Sequence, residues 1–100
     1  MAIRLLDVSA YTTLDFVTGR VFGPDWSDDA AAVVDVDRSK AAPGHVRLRL
    51  EFDGEDVTHV DHHADGVSLS PDQARALAAD LKRQAANAET EEDVPGGRGR

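Results

Sequence analysis

Strict alternation of apolar and polar residues along HVRLRLEFD, residues 45–53, constrains the fold of this chain more than any other feature. The apolar members, which share one side of an extended strand, are Val46, Leu48, Leu50 and Phe52. The polar members, which share the other side, are His45, Arg47, Arg49, Glu51 and Asp53. Because this pattern is typical of a strand with one buried and one solvated face, it predicts an antiparallel sheet.

The segment LSPDQARALAADLKRQAANA, residues 69–88, predicts an amphipathic helix of about four turns. Ser70 suits the N-cap, Pro71 suits the first helical position, and Asp72 complements the positive helix end. Apolar residues recur at helical spacing at Ala74, Leu77, Ala78, Leu81, Ala85 and Ala88. We expect this face to cover one side of the sheet, with Leu77 and Leu81 buried against it.

Three further segments, separated by turn-forming residues, predict strands: AAAVVDVD (30–37), VTHVDHH (57–63) and VSLS (67–70). Two N-terminal segments, AIRLLDV (2–8) and YTTLDFVTGRVF (11–22), are weaker strand candidates that we expect to pair with each other. Between them, GPDWSDD (23–29) reads as a loop from which Trp26 can fold back onto the core. The sequence therefore predicts an α+β fold, an antiparallel sheet of four to six strands with one C-terminal amphipathic helix packed on one face.

The last twelve residues, ETEEDVPGGRGR, combine an acidic run with Pro, Gly and Arg and offer almost nothing to bury. We expect residues 89–100 to be a disordered acidic/Gly-Arg tail. Residues 1–88 then form a single α+β domain, a size that supports one hydrophobic core.

The charge balance excludes some classes of partner. The chain has 19 acidic residues, 14 of them Asp, against 9 Arg and 2 Lys, which gives a net charge of −8. Such a charge repels the phosphate backbone, so we expect no nucleic-acid partner. No apolar run reaches the length that spans a bilayer, and the N-terminus lacks the apolar core of a secretory signal, so we expect a cytoplasmic protein with no membrane partner.

Abundant Asp and scarce Lys also fit adaptation to a salty cytoplasm. In molar salt the Debye length falls to about 3 Å, so crowded carboxylates scarcely repel one another and keep the surface hydrated. An ordinary acidic protein whose codons are GC-rich is the alternative explanation of the same composition. We favour the halophilic interpretation.

Three stretches carry a family resemblance: RLLDVSAYTTLD (4–15), DDAAAVVDVD (28–37) and VSLSPDQARALAADL (67–81). With them, residues 1–88 resemble a family of small acidic haloarchaeal proteins of unknown function. The resemblance implies salt adaptation and a sheet-plus-helix fold. It implies no catalytic residues.

The stretch THVDHHADG, residues 58–66, concentrates three of the four histidines of the chain. In an extended strand His59 and His63 lie about 13 Å apart, too far for both to bind one ion, but either could join Asp61. A metal site would draw its ligands from His59, Asp61, His62, His63 and His45, with Asp65 as a further carboxylate. The spacing matches no established zinc motif, so solvated histidines are the favoured interpretation.

Arg47 and Arg49 form a basic stripe in an acidic protein. One interpretation is cross-strand pairing with acids such as Asp35 and Asp37. The other is an interaction face for an acidic partner or for a second copy of the chain.

Catalytic signatures are missing from the sequence. It contains no cysteine and no G-x-S-x-G, P-loop or dinucleotide-binding glycine pattern, so we expect neither catalytic residues nor a cofactor. The favoured function is that of a non-enzymatic protein acting through protein contacts, with a homodimer preferred because sheets covered on one side often pair through the open face or an edge. The alternative is a divalent-metal-binding protein that uses the histidine-rich segment 59–63.

Overall fold

A computed structural model describes residues 4–9 and 11–93, the side chains of the last two excepted. Within this part of the chain, four strands are followed by one helix: β1 (Leu14–Gly23), β2 (Trp26–Arg38), β3 (Val46–Phe52), β4 (Ala64–Leu69) and α1 (Pro71–Asp93). The strands form an antiparallel sheet in the order β1-β2-β3-β4. The predicted α+β class, the four-stranded antiparallel sheet and the C-terminal helix are confirmed.

The strand register divides the side chains of the sheet between two faces, because directly paired residues point to the same side. On the first, which we call the apolar face, the rows across β2, β3 and β4 are Val36–Leu48–Val67 and Val34–Leu50–Asp65, and Ala32 pairs with Phe52. On the second, which we call the charged face, the rows are Asp37–Arg47–Ser68, Asp35–Arg49–Gly66 and Val33–Glu51–Ala64.

Burial does not follow the prediction of one buried apolar face and one wet polar face. Val33 and Glu51, each 1% exposed, lie on the charged face. On the apolar face Leu48 is only half-buried, and Val36 and Val67 are 44% and 53% exposed. The physical reason is an additional layer on the charged face. Backbone N–H groups of Leu5 and Leu6 bond to Glu51 there, and Leu6 itself is buried.

The β1–β2 hairpin differs from the predicted loop over residues 23–29. Gly23 pairs with Trp26, so the connection is a two-residue turn and β2 already begins at Trp26. Pro24 fixes a negative φ in this turn and Asp25 has no positive φ, so the turn is not one of the primed types that two-residue hairpins prefer. Near its start β1 carries a bulge, in which Phe16 adopts a positive φ of 57°.

Two predicted strands are absent from the described residues. Residues 4–9 of the N-terminal segment are not extended in the sheet, although their backbone contacts it. Residues 57–63 belong to the loop between β3 and β4, and β4 itself starts at Ala64. In this loop the amides of Thr58 and His59 bond to the carboxylate of Asp28 instead of to a strand.

Helix α1 has the predicted N-terminus. The Ser70 Oγ accepts the N–H of Gln73 at 3.1 Å, and Gln73 Oε1 accepts the N–H of Ser70 at 2.9 Å, which is a capping box. The helix continues to Asp93, so residues 89–93 of the predicted tail are helical; residues 94–100 lie outside the described part. Leu77 and Leu81, predicted to be buried, are 38% and 64% exposed.

Two compact units divide the chain between Leu69 and Ser70, the sheet unit and the helix unit. Helix α1, the one helix among the described residues, lacks the continuous apolar length that would be needed to cross a bilayer. Coverage of the sheet by this helix stays a prediction.

Candidate functional site

The predicted Arg47–Arg49 stripe lies on the charged face, where β3 presents both side chains next to β2. Arg47 donates from Nε and Nη2 to the two carboxylate oxygens of Asp37 at 2.9 and 2.8 Å. Arg49 donates from Nη2 to Asp35 at 3.1 Å and to Asp37 at 3.4 Å. The predicted cross-strand pairing with Asp35 and Asp37 is confirmed, because these residues are direct register partners.

These ion pairs are half-buried, which strengthens them relative to fully solvated pairs. The hydrogen bond from the Arg47 guanidinium holds the pKa of Asp37 below its ordinary value of 3.8, against the opposing effect of burial. The two guanidinium groups are therefore paired with the two carboxylates of Asp35 and Asp37. This cluster is balanced in charge and does not form a strong basic patch.

Glu51 is the central feature of the charged face, and its side chain is fully buried. Its carboxylate accepts the backbone N–H groups of Leu5 and Leu6, both at 2.8 Å, and Nε2–H of His62 at 2.6 Å. Gly54 leaves room for the imidazole, because a side chain at Gly54 would collide with Nδ1 of His62. Three segments distant in sequence therefore meet at one carboxylate.

Burial raises the pKa of Glu51, but the hydrogen bonds from Leu5, Leu6 and His62 outweigh it and leave the pKa below the ordinary 4.5. Glu51 is thus an ionised, fully bonded carboxylate whose contacts are structural. The alternation of apolar and polar residues along β3 predicted a solvated position for Glu51. The one signal in the sequence that could have pointed to the burial of Glu51 is the apolar run in β2, because Val33 of that run pairs directly with Glu51.

A second cluster joins the β1–β2 hairpin to the β3–β4 loop. The indole of Trp26 stacks on the imidazole of His59, with ring centroids 4.6 Å apart and planes 10° from parallel. The carboxylate of Asp28 accepts two hydrogen bonds, from Nδ1 of His59 at 2.9 Å and from the backbone N–H of Thr58 at 2.9 Å. The hydrogen bond with His59, followed by that from Thr58, lowers the pKa of Asp28 to about 2. Trp26 thus packs on a loop residue instead of the predicted core.

The five predicted metal ligands are not brought together. Each of three histidines pairs with a different carboxylate: His59 with Asp28 and His62 with Glu51. The third, His63, pairs with Asp65, with 3.2 Å between its Nε2 and the carboxylate oxygen. His45 lies at the entrance to β3 and faces the carbonyl of Pro43. Asp61 contributes its backbone oxygen to His63 at 2.7 Å. Among the described residues there is no group of three or more His, Asp or Glu side chains that could hold a metal ion, so this geometry gives the metal-binding alternative no support.

A cavity of about 450 Å³ lies between the N-terminal segment and strands β3 and β4. Its lining includes Leu5, Leu6, Arg47, Arg49 and Ser68. Arg49 also lines a smaller neighbouring cavity of about 210 Å³. Leucine side chains and guanidinium groups therefore border one concave surface together with Asp65 and Val67 of β4.

Comparisons with known proteins give a family and no activity. No curated protein and no solved structure matches the chain significantly. A family model described as a family of unknown function, DUF6360, matches residues 1–90. The expected membership of a family of unknown function is confirmed to this extent. With nine-tenths of its length matched, the chain belongs to the DUF6360 family.

Proposed function

We propose that this protein is a non-enzymatic, cytoplasmic protein that acts through protein contacts and forms a homodimer through the apolar face of its sheet. The observation that carries the proposal is the row Val36–Leu48–Val67, which crosses three strands and has its two outer side chains 44% and 53% exposed. Single exposed valines are ordinary on a protein surface, but a continuous row across three strands is not.

The apolar face is large enough to matter for association. From Val46 to Phe52 β3 extends about 20 Å, and three strands with their side chains span about 15 Å, so the patch covers roughly 300 Å² in projection. The largest apolar patch on a typical monomer has about this size and is often functional, so the row is a candidate interaction surface. Further apolar side chains of β2 and β4, at Val34 and Leu69, extend the same surface.

We propose a second copy of the chain as the occupant of this surface, in place of the coverage by α1 that the sequence predicted, because Leu77 and Leu81 of that helix are 38% and 64% exposed. The central row has no charged side chain, so two copies related by a twofold axis place apolar rows against each other. At the rim, the register puts one cation, Arg38, beside Val46 and one anion, Asp65, beside Leu50. Two sheets stacked face to face, about 10 Å apart, form a sandwich core without leaving a charge in its centre.

We also propose that the protein works at high salt. The net charge of −8 and the predominance of Asp support this, since screening by molar salt removes the repulsion between carboxylates and between two acidic copies. Nucleic acid is a poor partner for the same charge.

The oligomeric state tests the proposed dimer. We expect light scattering coupled to size exclusion in about 2 M KCl to give the mass of a dimer for the wild type. The Val67→Lys variant should be monomeric, because a charge would then be buried in the interface. Val8→Lys is the control, since Val8 is 38% exposed in the N-terminal segment and outside the patch. A monomeric wild type at concentrations up to about 1 mM would overturn the proposal.

A further inference from the structure

Strand β1 forms one edge of the sheet, because the strand order is β1-β2-β3-β4. Within the described chain no other strand pairs with its outer side. After the bulge between Leu14 and Val17, β1 pairs with β2 without interruption from Val17 to Gly23. This regular stretch of seven residues turns backbone N–H and C=O groups outward, and such an edge is a template for a further strand.

The sequence of β1 has nearly the same pattern in both directions around Gly19. Residues 16–22 are FVTGRVF, in which an aromatic residue, a valine and a polar residue stand in mirror positions on the two sides of the glycine. When two identical strands pair antiparallel with a twofold axis at Gly19, each position lies opposite its mirror position in the other copy. This self-complementary pattern favours a second copy of the chain over an unrelated partner.

The mirror pattern accounts for two exposed phenylalanines. Phe16 and Phe22 are 57% and 71% exposed. Phe22 pairs with Ser27, which alternation along β2 places on the charged face. Phe16 lies on the same face, because the guanidinium of Arg4, in the N-terminal segment that covers this face, is 5.5 Å from the centre of its ring. In the twofold pair, Phe16 of each copy therefore faces Phe22 of the other, and aromatic cross-strand pairs stabilise sheets.

The other positions of this register are also compatible. On the apolar face, Val17 of each copy lies opposite Val21 of the other, a pair of β-branched residues that suits strand pairing. Arg20 lies opposite Thr18, and its charge is already paired with Asp29 at 3.0 Å. If the axis moved one residue toward the C-terminus, Arg20 would face itself, and like charges directly opposite each other destabilise a sheet.

We propose that β1 pairs antiparallel with β1 of a second copy around Gly19, so that two four-stranded sheets join into one sheet of eight strands. The contact goes beyond the apolar-face dimer, since it uses another element and pairs backbone with backbone. A twofold axis perpendicular to the sheet keeps both apolar faces on the same side, so the two contacts are compatible. Because two short segments bury less than roughly 1,200 Å², the edge contact is weak and forms at high protein concentration.

Disulfide trapping tests the register of this contact. The chain has no cysteine, so each single variant carries one thiol. Thr18→Cys and Arg20→Cys are each made in the Val67→Lys chain and mixed at about 1 mM in a glutathione redox buffer. The disulfide between the two variants should exceed the two like disulfides by roughly tenfold over the statistical ratio, because only directly opposed positions reach disulfide geometry.

Ser27→Cys is the matched control, since it is also an exposed position on the charged face but lies in β2, one strand away from the edge. Mixed with Thr18→Cys, it should give only the statistical ratio. Should Arg20→Cys fail to fold, Val17→Cys mixed with Val21→Cys tests the same register on the apolar face. A statistical ratio for the opposed pair, or equal trapping of Ser27→Cys, would overturn the edge contact. Because every sample carries Val67→Lys, failure of the apolar-face dimer leaves this result unchanged.

Discussion

The imidazole of His62 and the carboxylate of Glu51 are joined by a hydrogen bond of 2.6 Å between Nε2 and Oε2. The same carboxylate holds the amides of Leu5 and Leu6, so its removal leaves two buried or half-buried N–H groups without an acceptor. We expect Glu51→Ala to lower the free energy of unfolding by about 2–4 kcal/mol. Urea unfolding measures this loss, and Glu55→Ala, at an exposed loop position, is the control.

Acid should weaken the same contact. The pKa of Glu51 lies below 4.5 in the folded chain, so its ionised form is preferred there more than in the unfolded chain. Its contribution to stability is therefore complete above about pH 4.5 and disappears as the pH falls through the folded pKa. We expect the difference in unfolding free energy between wild type and Glu51→Gln to shrink below pH 4.5. A difference that stays constant down to pH 2 would contradict the ionised assignment.

The Asp28 cluster predicts a local effect. Asn in place of Asp28 removes the charge that binds Nδ1 of His59 and the amide of Thr58, so the β3–β4 loop should loosen. Faster hydrogen exchange at Thr58 and His59, with a changed fluorescence of the stacked Trp26, would report it. Asp29→Asn is the control, because Asp29 pairs with the exposed Arg20 and with no other described side chain.

Acid should also weaken the Asp28 cluster. Since the pKa of Asp28 is lowered to about 2, its contribution is complete above its ordinary 3.8 and is lost only as the pH falls toward 2. Loop protection that disappears already at pH 5 would show that another group controls it.

Leucine substitutions distinguish the buried N-terminal segment from the exposed helix. Leu6 is 5% exposed and Leu81 is 64% exposed. We expect Leu6→Ala to cost about 2–4 kcal/mol of unfolding free energy and Leu81→Ala less than about 0.5 kcal/mol. Urea titration of both variants checks the ranking. A loss above 2 kcal/mol at Leu81 would show that its side chain is buried in solution.

Salt should stabilise both the fold and the dimer. Raising KCl from about 0.1 M to about 2 M screens the acidic surface. The melting temperature should therefore rise steeply, and the dissociation constant of the dimer should fall. Thermal melts by circular dichroism and light scattering measure the two effects. A melting temperature flat to within a few degrees would remove the halophilic interpretation.

The sequence predicted the helix cap and the Arg–Asp pairs, because both depend on residues that lie close together in the chain or in a regular strand register. Ser70 and Gln73 form the capping box because both partners lie within one turn of the helix start. Alternation along β3 placed Arg47 and Arg49 on one side, and the alternating acids of β2 then predicted their partners. Both features depend on residues that are neighbours in sequence or in a regular register.

Contacts between distant segments were beyond such patterns. Glu51 is buried because a segment 45 and 46 residues earlier places two amides over it, and no local periodicity records that. The stretch 57–63 alternates well enough to read as a strand, yet Asp28 takes its amides and fixes it as a loop. Side-chain acceptors compete here with strand pairing, and the outcome depends on tertiary position.

Because β2 is longer than β3, part of the edge of β2 is covered by the β3–β4 loop and not by a strand. Strand β2 has 13 residues and β3 only 7, so the first half of β2 lacks a third strand beside it. The loop fills that place: Asp53 donates its N–H to the carbonyl of Ala31, and Asp28 holds Thr58 and His59. An uncovered strand edge invites other chains to add to it. The loop therefore covers part of the edge that β3 leaves open, and we expect a chain shortened there to associate with other chains by strand addition.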